Sequence, residues 1–160
     1  MKSGFRFLSY KIDNIKFSSI RDLGLLEFSQ GFGGYPWEIS IGIREPLYFK
    51  GAKKYVGGLD TVFSLKNPEE KDRETAAVRQ LVKIEIGIAG VFSVEEGRFE
   101  KTVEDQLVKI QIPAILFPYL RSAVTSILAS SGYGSVILPL INIHAVAKDF
   151  EGKLTIKEID

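Results

Sequence analysis

The spacing of apolar side chains changes once along this chain, at Gly97, and that change limits the folds open to it. Before Gly97 the spacing is two, the period of a strand whose alternate residues face opposite sides of a sheet. After it the spacing is three or four, the period of a helix with one apolar stripe. Strands first and helices second is an α+β order, which predicts a mainly antiparallel sheet with helices segregated to one side.

Four stretches carry the period of two. In Phe5 to Phe17, Leu8, Tyr10 and Ile12 alternate with polar neighbours, and Ile15 and Phe17 resume after Asp13 and Asn14 shift the phase, so a strand with a bulge is expected. Trp37, Ile39, Ile41 and Ile43 alternate with Glu38, Ser40, Gly42 and Arg44 as a half-buried strand. Pro46, Gly51 and Lys53-Lys54 mark a connection to a third run, Leu59, Thr61, Phe63 and Leu65, which closes at Asn67-Pro68. The charged segment Glu69 to Glu74 has turn chemistry and leads to the fourth and longest strand, Leu81 to Val94.

Downstream, Leu107, Ile110, Ala114, Phe117, Leu120, Val124 and Leu128 recur at helical steps, with Gly132 as a natural stop. Pro113 and Pro118 each delete a backbone donor, so this long helix is expected to kink, or to begin properly only near the first proline. A short apolar run ends at Pro139, and Ile141, Ile143, Val146 and Phe150 predict a second, shorter helix ending by Gly152. At 160 residues the chain reads as one domain over 1–152 and a C-terminal tail of mixed charge over 153–160.

Composition removes several classes of function. Lysine and arginine total 21 against 20 acidic residues, so no whole-chain field draws in nucleic acid or an anionic membrane. There is no cysteine, which removes disulfides, thiolate zinc sites, iron–sulfur clusters and cysteine nucleophiles, and is compatible with a reducing cytosol. The first residues lack a signal-peptide pattern, and no uninterrupted apolar stretch reaches the ~20 residues of a bilayer span, so a cytoplasmic protein without membrane insertion is expected. His144 is the sole histidine, and Ser122, Ser126, Ser130 and Ser131 lie on or just after a helix with no nucleophile elbow. No catalytic residue, metal or cofactor is therefore assigned. Gly31-Phe32-Gly33-Gly34 and Gly57-Gly58 lack the lysine and hydroxyl of a phosphate loop and read as turns. Glu95, Glu96, Glu104 and Asp105 read as solvated surface.

One segment resists this accounting. Between Ser18 and Trp37 the period disappears, yet Leu23, Leu25, Leu26, Phe28, Phe32, Tyr35 and Trp37 remain, among four glycines. Loops normally run over the surface, so a loop this apolar is either buried by something or offers a patch to a partner, and both readings stand.

The run Pro113-Ala114-Ile115-Leu116-Phe117-Pro118-Tyr119-Leu120-Arg121, followed by Gly132, Leu138-Pro139 and Ile141-Asn142-Ile143, resembles the last third of the SecB family of protein-export chaperones. Gly90-Val91-Phe92-Ser93-Val94 and Asn14-Ile15-Lys16-Phe17 are similar to that family's strand end and first strand. The resemblance implies a four-stranded antiparallel sheet followed by a long helix and a shorter C-terminal helix packed on one side. It also implies a homotetramer, a dimer of dimers in which two sheets form one eight-stranded layer and the long helices pack between dimers. That places Phe117, Leu120, Val124 and Leu128 at an oligomer interface.

In function, the resemblance implies an ATP-independent chaperone that holds unfolded preproteins and passes them to the SecA translocase motor. The client groove would be walled by Leu23, Leu25, Leu26, Phe28, Phe32, Tyr35 and Trp37 from the crossover loop, with Ile143, Val146 and Phe150 from the second helix. Family members dock a basic tail of SecA on acids of the outer sheet face. Glu85 matches one such position, whereas Asn14 and Ser18 stand at two others. A SecB-like chaperone dedicated to one client, such as the antitoxin of a toxin–antitoxin system, is the alternative within the fold. A small-molecule binder and a purely structural oligomer are the alternatives outside it.

Overall fold

A computed structural model describes residues 3–19, 37–71, 78–133 and 138–160. The element order is β1 (Phe5–Ser19), β2 (Trp37–Ile43), β3 (Leu47–Phe49), β4 (Lys54–Lys71), β5 (Val78–Val94), α1 (Lys101–Leu128), α2 (Ile143–Glu151) and β6 (Lys157–Ile159). The predicted α+β order is what the chain adopts.

β5 is the spine of the sheet, antiparallel to β1 on one side and to β4 on the other. β4 in turn pairs with β2 over Leu59–Leu65 and with β3 over Lys54–Val56. β2 and β3 therefore lie end to end along one edge, a single strand position interrupted around Pro46, which has no amide hydrogen to give. Counted by position, this is the expected four-stranded antiparallel sheet. Two short strands are additions: β3 lies inside what reads as a plain connection, and β6, in the expected tail, runs parallel to β3. Three-residue strands are too short to show a period, which is why the sequence pattern passes over both.

β1 carries two register shifts against β5, between Ile12 and Asn14 as expected, and also between Phe7 and Ser9. The second one moves Leu8 out of the alternation and brings Phe7 and Tyr10 onto one side, their rings 6.1 Å apart.

The core forms on one face, where Leu59, Phe63 and Leu65 of β4 and Val82, Ile84, Ile86, Ile88 and Phe92 of β5 meet the buried row of α1. Thr61 is the polar exception at 2% exposed, and its hydroxyl donates to the Ile86 carbonyl at 3.2 Å, which satisfies it. α1 starts at Lys101 and runs through both prolines, so the expectation of a start near Pro113 is corrected. A Lys101–Asp105 ion pair of 3.0 Å, one turn apart, supports its first turn. The buried row is Val108, Ile112, Leu116, Phe117, Leu120, Val124 and Leu128, so the predicted stripe is right in its second half but misplaced at Leu107, Ile110 and Ala114. Gly132, at φ 91°, breaks the last turn as expected. The segment Lys101–Tyr133 is long and apolar enough to cross a bilayer, with a mean hydropathy of 1.4, as the core helix of a folded domain also can be. In this fold its apolar row lies against the sheet.

Gly57 and Gly58 are not a turn. They sit inside β4, where a Cβ at Gly57 would come within 2.6 Å of Ile112 and one at Gly58 within 2.6 Å of the Ile88 carbonyl oxygen. These glycines let the helix and a cross-strand arginine approach the backbone.

Candidate functional site

A helix about 10 Å across cannot cover a sheet four strands wide. α1 lies over β4 and β5, and the helix-facing rows of the two outer positions are left half covered, giving the fold two apolar flanks.

The first flank is β2. Its register with Leu65, Phe63, Thr61 and Leu59 puts Trp37, Ile39, Ile41 and Ile43 on the helix side, and all four are only partly buried. α2 packs on α1 and starts at Asn142, whose side-chain oxygen accepts from the Ala145 amide at 3.2 Å. Only five residues, 152–156, join the end of α2 to β6 on the edge of β3, so the chain returns from the helix layer to that edge over a short span. Arg121 fixes the approach to α2 by donating from Nη2 to the Leu138 carbonyl at 2.7 Å.

The structure divides the predicted client residues three ways. Leu23, Leu25, Leu26, Phe28, Phe32 and Tyr35 lie outside the described residues. Trp37 opens β2 at the mouth of the flank, and Val146 and Phe150 are half-buried on one face of α2. Ile143 is 9% exposed and belongs to the core, so it supports α2 and presents little surface. Leu140, 88% exposed just before α2, is an apolar residue of this region that the sequence reading did not single out.

The second flank is β1, and sequence reasoning did not select it. Tyr10 is 46% exposed, Ile15 54% and Phe17 38%, along a strand that pairs only with β5 among the described residues. Tyr119 of α1 packs its ring against Phe7 at 5.3 Å and Tyr10 at 4.6 Å, and Tyr133 meets Phe17 edge-on at 6.3 Å. Tyr133 also hydrogen-bonds the Ser19 hydroxyl. The alternation of β1 is visible in the sequence, but its place at an edge beyond the helix is a tertiary fact.

Phe117, Leu120, Val124 and Leu128, expected at an interface between copies, are 5, 0, 0 and 0% exposed within the single chain. They hold α1 on its own sheet, and the expectation is corrected: any contact between copies through α1 uses its other side.

The opposite sheet face is polar. Register places Asn14, Lys16 and Ser18 of β1 across from Gly87, Glu85 and Lys83 of β5, so the three positions aligned above with docking acids form one patch. Glu85 accepts from Lys83 at 2.9 Å and lies 3.9 Å from Lys16, and the Lys83 ammonium, with Lys16 behind it, holds its carboxyl below the usual range. On the same face Arg44 donates to both oxygens of Asp13, at 2.6 and 2.8 Å, and of Asp60, at 2.7 and 3.0 Å. The guanidinium crosses β5 above Gly87, where a Cβ would lie 2.5 Å from Nη2. Asp13 is the residue left unpaired by the expected bulge, which aims it at Arg44.

His144 is exposed on α2, and Glu104 accepts from the Tyr55 hydroxyl, which corrects the reading of that carboxylate as plain surface. Burial, with this carboxylate, pushes the Tyr55 phenol up from its ordinary value. Among the described residues no group of three or more carboxylates or histidines is placed to hold a metal.

The family model described as preprotein translocase subunit SecB matches residues 62–150, from the middle of β4 to the end of α2. The protein-export protein SecB of Cellvibrio japonicus is 40% identical over 68 residues, 42% of this chain and 40% of that protein. An uncharacterized protein of Methanocaldococcus jannaschii is 31% identical over 91 residues, 57% of this chain and 55% of its own. The chain thus spans about half or less of these relatives. Among solved structures, the Mycobacterium tuberculosis Rv1957 SecB-like chaperone, in complex with a ChAD peptide from the Rv1956 HigA1 antitoxin, superposes with a TM-score of 0.63 at 10% identity, over 86% of this chain and 91% of that one. The match of more than half the chain to one family model shows that this protein belongs to the SecB family.

Proposed function

We propose that the protein is an ATP-independent holding chaperone of the cytoplasm, not an enzyme, which takes extended apolar segments of unfolded polypeptides on the β2 flank. The observation that carries this reading is the row Trp37, Ile39, Ile41 and Ile43, left half covered on the core face of the sheet and continuous in sequence with the apolar residues 23–35. Unfolded chains expose apolar side chains, and burying them gains ~25 cal/mol per Å², so a groove of this kind selects for unfoldedness more than for a sequence. The β1 flank has the complementary role: its long edge, unpaired among the described residues, joins a second copy, sheet to sheet, in a dimer that pairs again into a tetramer.

Two client ranges fit this site: secretory precursors in general, handed to SecA, or one dedicated protein such as an antitoxin. The flanking of Glu85 by Lys16 and Lys83, with Asn14 and Ser18 beside it, favours the second, because a basic tail meets little free negative charge there. Size-exclusion chromatography with light scattering, on the protein alone and mixed with one model protein in folded and permanently unfolded forms, tests the reading. Co-elution of only the unfolded form with an oligomer supports general holding. No co-elution of either form leaves a dedicated client or a structural role.

A further inference from the structure

β6 is a strand the family resemblance does not imply. Its three residues are exposed, and they lie parallel to Leu47–Phe49 with the Lys157 amide donating to the Pro46 carbonyl and the Lys50 amide to the Ile159 carbonyl, both at 2.9 Å. Around it stand only exposed ion pairs, Lys50 with Glu158 and Asp160, each at 3.2 Å, and Lys157 with Glu45 at 2.9 Å. Such pairs hold weakly. What anchors the segment is upstream, at Leu154, 7% exposed, and at Ile156 against the core. Residues 157–160 thus lie as an extended peptide on a sheet edge, anchored upstream, and that edge is the direct continuation of β2 along β4.

We propose that Lys157–Asp160 is a resident, displaceable occupant of an extended-chain site on the edge of β3, where it competes with the unfolded segments taken up by the β2 flank. The partner is an unfolded polypeptide in extended form, adding a strand through main-chain hydrogen bonds, and the chain's own C-terminal segment shows that this edge accepts one. The inference rests on the proposed holding function.

The absence of cysteine makes the test clean. Phe49 and Ile159 are register partners, so Phe49→Cys with Ile159→Cys places two thiols at disulfide distance. The same full-length protein, oxidised and then reduced, is titrated with a fluorescently labelled, reduced and carboxymethylated model protein that stays unfolded. The expected result is wild-type binding when reduced and roughly tenfold weaker apparent binding when locked, because apparent affinity falls with the fraction of competent protein. As a change in the opposite direction, Lys50→Glu sets like charge against Glu158 and Asp160 and is expected to strengthen binding about two- to fivefold. Equal binding by locked and reduced protein, or a Lys50→Glu variant no tighter than wild type, overturns the competition and leaves the holding function intact. No binding by any form, wild type included, overturns both.

Discussion

The two flanks of the sheet are built from the same material and differ in what borders it. β1 offers an aromatic-rich row on a fifteen-residue strand, packed by Tyr119 and Tyr133 and lying at an edge that is unpaired among the described residues. β2 offers a shorter aliphatic row headed by one tryptophan and preceded in sequence by the apolar stretch of residues 23–35. A strand edge is completed by another strand, and a second copy of the same strand is such a partner. The proposed roles divide accordingly, with the β1 row taken for assembly and the β2 row for a client.

The sharpest way to break that division is to charge the β1 row. Ile15→Asp with Phe17→Asp is expected to take the assembly to single chains by light scattering, with little loss of monomer stability, since both residues are more than a third exposed. If mass is unchanged, the β1 flank is not the assembly surface. On the other side, Trp37→Ala with Phe150→Ala is expected to weaken binding of an unfolded model protein by roughly 10–100-fold, as loss of aromatic anchors does, with the oligomer intact. If both properties fall together, the flanks are not separate.

A smaller effect concerns the link between them. Arg44, just after β2, holds Asp13 of β1 across the sheet, and Arg44→Met is expected to cost about 1–2 kcal/mol in denaturant unfolding, discounted for its part exposure. Hydrogen bonding from Arg44 holds the Asp13 carboxyl below its ordinary value. A lowered folded-state value means that this stabilisation is complete above the unfolded value near pH 4 and disappears as pH falls through the folded one. Wild type should therefore lose stability on acidification below about pH 4, and Arg44→Met should lose less over the same window. The smallest effect is expected from His144→Ala: within about 0.5 kcal/mol in stability and unchanged in client binding, since the residue is exposed.

The layers of this fold were legible because Trp37–Ile43 and Val82–Ile88 alternate without interruption, and because the period changes once and for good after Gly97. Legibility failed where a local pattern carries two meanings. Gly57-Gly58 has the composition of a turn, and only the approach of Ile112 and Arg44 shows why β4 needs bare backbone there. Phe117 to Leu128 form an apolar stripe whether it faces a sheet or another copy, and burial within one chain decides for the sheet. Of the expected client wall, Trp37, Val146 and Phe150 are half-buried among the described residues, which apolar spacing alone could not tell from full burial. The β1 flank was missed because its meaning depends on which strand ends up outermost, and no window of sequence contains that information.

The pairing of β1 with β5 bears on how the molecule is made. Ser19 meets Val82 and Phe5 meets Val94, so the first strand to leave the ribosome finds its partner only after all the other antiparallel strands have been synthesised. At roughly 5–20 residues per second, an aromatic edge strand waits several seconds with nothing to pair with. Closing so long a loop is also entropically slow. During its own synthesis, a protein proposed to shelter unfinished chains is itself such a chain, and the aromatic strand it then displays is the one proposed to join its copies together.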